Sequence, residues 1–409
     1  WLTKAVEPMK KIVEIEVEDS SDEDNDSADD KDSRDMESVC EQGGQVMMRS
    51  GNQHTAATTA TLRVQNWIPV MYKEALVFFP GYNSPMENSL KNMGQFLAMT
   101  KLSQNVYPIV FQWPGSYNLG YPYASKISAS DINQQNVLKL VRGLQEAGIK
   151  RVHFLTHSMG VQTFLGAFAD KIDDSGDIIG RSDVSKCFTL APGFDDGPTE
   201  GKRQQYQNQM TCKSITLLNP DFPVRAFVER AFVSIRQVCQ TVTVVGDRND
   251  RALWWSSFIN GVVPKVSNYQ QPALLQPKDY KPQWELVERI GRSIGSLQFD
   301  PEVAEQYLGK EEAFRHLLFN KCASINLKGV GKGKNKENHF WLDMDVIDMT
   351  GLDTNIKGMR HSGFSLNPML LKDLQELFST GKRAMKRSTL LYREGNQFSF
   401  AHAPAFVSQ

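Results

Sequence analysis

The pentapeptide Thr156-His157-Ser158-Met159-Gly160 is the part of this chain best suited to nucleophilic chemistry. The short run Val152-His153-Phe154-Leu155 before it reads as a buried strand, and Val161 to Ala169 reads as a helix. A serine on a sharp strand-to-helix turn has its hydroxyl exposed at the C-terminal edge of a sheet, and the helix N-terminus stabilises negative charge developing there. Such a turn needs small residues two before and two after the serine. Gly160 meets that need, and Thr156 is a tighter fit. Without the flanking strand and helix, Ser158 would be an incidental turn serine.

A serine hydroxyl attacks only when a base takes its proton, and the base needs an orienting acid. On a sheet edge of this kind the chain order is Ser, acid, His. His316, His339 and His361 follow Ser158 at a distance. His361 lies in Gly358-Met359-Arg360-His361-Ser362-Gly363, between the last predicted strand and the last helix, where such a base belongs. His316 falls in an apolar helical stretch, and His339 borders a basic loop. The acid should follow the strand Thr241 to Gly246. Asp247 and Asp250 compete there, and Asp221 after the preceding strand is a third candidate, although turns favour Asp in any case. Two backbone N–H groups must face the oxyanion. Met159, directly after the nucleophile, supplies one. The loop Pro80-Gly81-Tyr82-Asn83 supplies the other through Tyr82 or Asn83, because Pro80 has no N–H.

Alternating strands and helices must position these groups. Strands are predicted over Val64 to Val70, Ala75 to Phe79, Val106 to Gln112, Ser214 to Leu218, Thr241 to Gly246 and Trp341 to Asp348. Helices are predicted over Pro85 to Met99, from an Asp131 N-cap to about Glu146, and over Pro368 to Phe378. The connections are too long for hairpins, so the sheet should be mainly parallel with helices on both faces. Two stretches interrupt the alternation. One is about 170–211, with a possible strand at Cys187 to Leu190. The other is about 269–338, placed to act as a lid and ending in the basic, Gly-rich run Lys328 to Lys336. That run contains Gly329-Val330-Gly331-Lys332-Gly333-Lys334 but lacks the spacing of a phosphate-binding P-loop. Trp254-Trp255 either lines an acyl pocket or anchors the core.

Charge is distributed unevenly over the 409 residues. Between Glu14 and Glu37 thirteen acids face two bases, leaving +10 on the rest of a chain whose net charge is −1. Residues 1–57 therefore read as an acidic, disordered segment open to a protein partner, 58–390 as one domain with the two insertions, and 391–409 as a C-terminal tail. No apolar stretch is long enough for a membrane span. The five cysteines show no Cys-x-x-Cys pair and no disulfide framework, which fits a reducing, cytoplasmic setting. The chain opens on Trp1, which reads as a processed or truncated start. No metal-ligand spacing is present, no cofactor is called for, and the basic loop without interleaved aromatics does not suggest nucleic acid.

The set Gly81-Tyr82-Asn83, Trp113-Pro114, His157-Ser158-Met159-Gly160, Asn249-Asp250-Arg251-Ala252-Leu253 and His361-Ser362 resembles the esterase/lipase-like branch of the α/β-hydrolase superfamily over roughly residues 70–385. That branch carries His-Gly-Tyr-Asn, Trp-Pro, Ala-His-Ser-Met-Gly, Asp-x-Ala-Leu and Gly-His-Ser in this order. Pro80 stands where the branch has His, and Thr156 where it has Ala or Gly. The resemblance implies an α/β-hydrolase fold and a serine hydrolase acting on a small-molecule or lipid ester. It assigns Ser158 as nucleophile, Asp250 as acid and His361 as base, with Met159 and Tyr82 as oxyanion donors. A non-catalytic α/β-hydrolase scaffold used for binding is the alternative, since fold alone does not dictate function.

Overall fold

The computed structural model describes residues 15–18, 59–62, 73–103, 105–115, 120–172, 178–192, 194, 209–257, 289–293, 297, 341–352, 361 and 366–401. Strands β1 (Ile15–Glu18) and β2 (Thr59–Leu62) pair antiparallel. The start of the expected disordered segment therefore contains a strand, because Ile15-Glu16-Val17 alternates as a ladder requires. The rest of residues 1–57 lies outside the described residues, as do the strand expected at Val64 to Val70, the basic loop, His316, His339 and nearly all of the lid segment.

The main sheet begins with β3 (Glu74–Phe79), followed by helix α1 (Met86–Thr100) and β4 (Val106–Val110). Helices α2 (Tyr121–Ser128) and α3 (Asp131–Glu146) lead into β5 (Arg151–His157) and α4 (Gly160–Phe168). A small antiparallel pair, β6 (Lys171–Ile172) and β7 (Ile178–Gly180), precedes β8 (Thr211–Leu218). Then come β9 (Val242–Gly246), β10 (Asp345–Asp348), α5 (Pro368–Thr380), β11 (Leu390–Glu394) and β12 (Gln397–Phe400). Among the described residues the main sheet has eight strands, in the order β11-β12-β10-β9-β8-β5-β3-β4. All neighbours are parallel except the terminal β11–β12 hairpin.

This order contains a topological switch. From β3 the chain crosses outward to β4, then returns to the other side of β3 as β5. Crossovers on the two sides lie on opposite faces, so a crevice opens at the C-terminal ends of β3 and β5. Pro80-Gly81 leaves β3 there, and Ser158 leaves β5.

Side-chain alternation along the strands builds two cores. Ala75, Val77 and Phe79 of β3 and Val152 and Phe154 of β5 join α3 and α4 on one face. Leu76, Phe78 and Leu155 join Met93 and Phe96 of α1 and Leu370, Leu374 and Leu377 of α5 on the other. Under the elbow, the Phe164 ring lies 5.4 Å from Phe79, 5.1 Å from Phe154 and 4.7 Å from Phe168. Each such buried ring contributes about 1.5–3 kcal/mol of transfer free energy, and together they fix α4 against β3 and β5.

Several boundaries differ from expectation for local reasons. Helix α3 is capped by Ser130, whose hydroxyl accepts from the Asn133 N–H, and Asp131 is its first-turn acid. Cys187 to Leu190 is not a strand. Ser185–Cys187 forms a 3-10 turn, and Phe188 makes a single bridge to Met210. The expected C-terminal tail is instead part of the sheet through residue 400, because Val346 to Asp348 of β10 pair in parallel with Gln397 to Ser399. Helix α2 and the helical segment built from Val224–Ala226, a π turn at Phe227–Ala231 and Phe232–Arg236 were not anticipated. Among the described residues no helix is long and apolar enough to cross a membrane.

Candidate active site

The turn at Ser158 has the compression its spacing implies. Ser158 adopts a left-handed backbone (φ 51°), unusual for a residue with a Cβ. It is held from several sides: its N–H donates to the Leu218 carbonyl (3.0 Å), and its carbonyl accepts from Val161 and Asp221 (3.2 Å each). A Cβ on Gly160 would lie 2.4 Å from the Pro80 carbonyl oxygen and 2.7 Å from that of Phe79. Only glycine permits β3 and the start of α4 to approach this closely. Thr156 is accommodated within the sheet, in register with Phe79 on one side and Leu217 on the other, and is fully buried.

Three predicted side chains come together across 203 residues of sequence. His361 Nε2 lies 2.6 Å from Ser158 Oγ, and His361 Nδ1 lies 2.6 Å from Asp250 Oδ2. An ionised carboxylate only accepts hydrogen bonds. In the neutral ring Nδ1–H therefore donates to Asp250, and Nε2 accepts from the Ser158 hydroxyl. Asp250 is fully buried, and its second oxygen, Oδ1, accepts from the Leu253 N–H at 2.9 Å. It thereby caps the helical turn of residues 251–257 while facing His361.

The two rival acids have other partners. Asp247 Oδ1 accepts from the Asn249 N–H at 2.8 Å, a local turn bond. Asp221 accepts from the Tyr121 hydroxyl (2.6 Å) and the Ser256 hydroxyl (2.6 Å), with Arg289 Nε 3.4 Å away. Gln162 Nε2 donates to the Asp221 carbonyl at 3.0 Å. Asp221 is thus a hub joining α2, α4, the 251–257 turn and the segment at Arg289. Burial and the adjacent Asp221 carboxylate push the Tyr121 phenol far above its ordinary value, so it serves as a donor.

The loop 80–83 is braced by the Trp-Pro motif. The Trp113 indole N–H donates to the Pro80 carbonyl at 2.7 Å, and the Asn83 N–H donates to the Gly115 carbonyl at 3.1 Å. Asn83 is thereby committed to holding the loop, which leaves Tyr82 as the loop's candidate donor. The Tyr82 ring meets Tyr121 edge-on at 6.1 Å. Met159, at the start of α4, is fully buried.

Two further residues at this site were not assigned a role from the sequence. His157 Nε2 lies 2.9 Å from the backbone carbonyl of His361, and Asn219 Nδ2 donates to the same oxygen at 3.1 Å. Burial, reinforced by the neighbouring His361, pushes the His157 imidazole down to about 3. It is neutral near pH 7, with Nε2–H donating to the carbonyl. His157 was visible as part of the elbow motif, but nothing in its spacing revealed a partner 204 residues away. A cavity of about 450 Å³ lies elsewhere, lined by Arg248, Asp348, Arg393, Glu394 and Phe400 among others, and contains none of these side chains. Among the described residues no cluster of three or more His, Cys, Asp or Glu side chains is arranged to hold a metal ion.

A comparison with solved structures finds similarity to the catalytic core domain of acetyl xylan esterase from Trichoderma reesei. It covers 42% of this chain and 69% of that one, at 9% identity and a TM-score of 0.24, too low to carry a functional argument. No curated protein matches the chain. The model of one family, described as alpha/beta hydrolase of unknown function, matches residues 57–277, a span that includes the loop 80–83, Ser158 and Asp250. Since that match covers more than half of the sequence, the chain belongs to the alpha/beta-hydrolase family of unknown function designated DUF900.

Proposed function

We propose that this hydrolase is a serine carboxylic ester hydrolase acting through Ser158, His361 and Asp250. The observation that carries the reading is the unbroken relay from Ser158 Oγ through the two ring nitrogens of His361 to Asp250, with 2.6 Å at each link. The left-handed Ser158 backbone at the switch-point crevice supports it independently.

In this reading Ser158 Oγ attacks the ester carbonyl carbon as its proton passes to His361 Nε2. Asp250 remains ionised and stabilises the imidazolium. The N–H groups of Met159 and Tyr82 receive the oxyanion, and the N-terminus of α4 adds its partial positive charge. Collapse of the tetrahedral intermediate expels the alcohol, which takes the proton from Nε2. Water then attacks the acyl-enzyme, again giving a proton to His361, and release of the acid restores Ser158. No cofactor enters these steps. The two motif departures do not touch the relay. Pro80 contributes a carbonyl to Trp113 rather than an N–H, and Thr156 packs inside the sheet.

The test is rapid-mixing kinetics with p-nitrophenyl acetate followed by mass spectrometry of the quenched protein. The reading predicts acetylation of the peptide carrying Ser158, with nitrophenol turnover absent in Ser158→Ala. Undiminished turnover in Ser158→Ala would contradict it.

A further inference from the structure

His361 lies in a bend outside the helices and strands of the sheet, yet its ring must meet two partners at once. A ring aimed at two acceptor or donor positions is only as well placed as the backbone that carries it. Here the His361 backbone carbonyl is held from two directions. His157 Nε2–H approaches from the end of β5 at 2.9 Å, and Asn219 Nδ2–H approaches from the end of β8 at 3.1 Å.

Asn219 sits on strained backbone, and the His157 ring sits in a crowded place. Asn219 adopts a left-handed conformation (φ 41°), which Asn tolerates better than most residues, and its N–H donates to the Val245 carbonyl at 2.8 Å. His157 is buried between the oxyanion loop and the base. A Cβ at Gly81 would lie 2.9 Å from His157 Nδ1, and the His157 and His361 ring centroids are 4.9 Å apart. The nucleophile's own neighbour therefore spaces the oxyanion loop from the base. Because its imidazole is neutral and a carbonyl can only accept, the Nε2–H tautomer is fixed.

We infer that His157 and Asn219 are positioning residues that pin the His361 carbonyl and so hold its imidazole in line between Asp250 and Ser158. This inference rests on the serine-hydrolase reading of the same site.

The experiment measures inactivation of the full chain by a fluorophosphonate, separating the rate of phosphonylation, kinact, from the reversible constant KI. His157→Met fills similar space without a donor. His157→Gln places an amide N–H the same number of bonds from Cα as the imidazole Nε2–H. Asn219→Gly accepts the left-handed backbone and lacks the donor. The inference predicts that His157→Met and Asn219→Gly lower kinact by about 10- to 100-fold with KI unchanged, as for a catalytic group displaced by a fraction of an ångström to an ångström. It also predicts that His157→Gln recovers most of the rate. Native kinact in His157→Met and Asn219→Gly would overturn it, as would a loss in His157→Gln equal to that in His157→Met. If His157→Met fails to fold, Asn219→Gly decides alone by the same two outcomes. Labelling that is absent in the native chain, or retained in Ser158→Ala, would overturn the serine-hydrolase reading and this inference with it.

Discussion

Asp250 divides its carboxylate between two tasks: Oδ2 lies 2.6 Å from His361 Nδ1, and Oδ1 accepts the Leu253 N–H at 2.9 Å. Asp250→Asn separates them. The amide oxygen can still cap the turn, but its NH2 group then faces Nδ1 and favours the tautomer with the proton on Nε2, where it cannot accept from Ser158. The expected result is a melting temperature near native with kcat lowered by about 10⁴-fold. Calorimetry beside ester turnover checks it, and near-native turnover would remove Asp250 from the mechanism.

Gly160 is the tightest point of the elbow. In Gly160→Ala the new Cβ meets two main-chain carbonyls, Pro80 at 2.4 Å and Phe79 at 2.7 Å, neither of which can swing aside as a side chain would. Destabilisation of about 1–3 kcal/mol or more is expected, together with lost activity as the oxyanion loop is displaced. Urea unfolding at pH 7 measures the first effect and ester turnover the second.

Two groups give stability a defined pH dependence. His157 is held neutral down to about 3 in the folded chain against an ordinary value of 6.5. Below pH 6.5 the unfolded chain binds a proton that the folded chain does not, so stability falls as pH drops from 6.5 toward 3, by up to ~1.4 kcal/mol per pH unit. Glu74 is lowered from 4.5 to about 2, first by its hydrogen bond to His153, against the opposing effect of burial and with help from Arg151. Its contribution is present above pH 4.5 and is lost as pH falls toward 2. Urea midpoints at pH 7, 5.5 and 4 should therefore show a flatter decline in His157→Gln than in the native chain. Glu74→Gln should flatten the decline only below about pH 4.5.

The C-terminal hairpin region is fastened by an alternating chain of charges. Arg236 meets Asp343 (2.5 Å), Arg383 bridges Asp343 (2.8 Å) and Asp345 (3.0 Å), and Arg387 lies between Asp345 (3.6 Å) and Asp373 (2.7 Å). Asp345 also accepts from the Ala384 N–H at 2.8 Å. Removing it leaves the buried Arg387 guanidinium and the half-buried Arg383 guanidinium under-compensated. Asp345→Ala should cost about 3–5 kcal/mol, and the loss should change little between low and high salt because the pairs are screened from solvent ions. A loss that vanishes in high salt would mean the network is effectively solvated.

Much of the site was legible because its chemistry is written locally. Ser158 sits in a five-residue motif between a strand and a helix, and His361 in the loop before the last helix. The choice among Asp250, Asp247 and Asp221 was not settled by the residues, since all three follow strands in turn-forming sequence. The structure separates them by partner. The His361 carbonyl clamp was illegible because it joins positions 204 and 142 residues apart through a backbone atom that carries no sequence signature. The β11–β12 hairpin has a weak sequence signal because Leu390–Glu394 is a mostly exposed edge strand with little apolar alternation. Helix α2 is short and polar, with Pro122 in its first turn.

Ester hydrolysis at this site requires Ser158 to be an activated nucleophile. Fluorophosphonate labelling of the native chain beside Ser158→Ala tests it most directly, because the probe reports an activated serine without requiring the natural ester. A single phosphonylated site is expected in the native chain, mapped to the peptide containing Ser158, and none in Ser158→Ala. A well-folded native chain that stays unlabelled, or a mutant labelled as fast as the native, would contradict it.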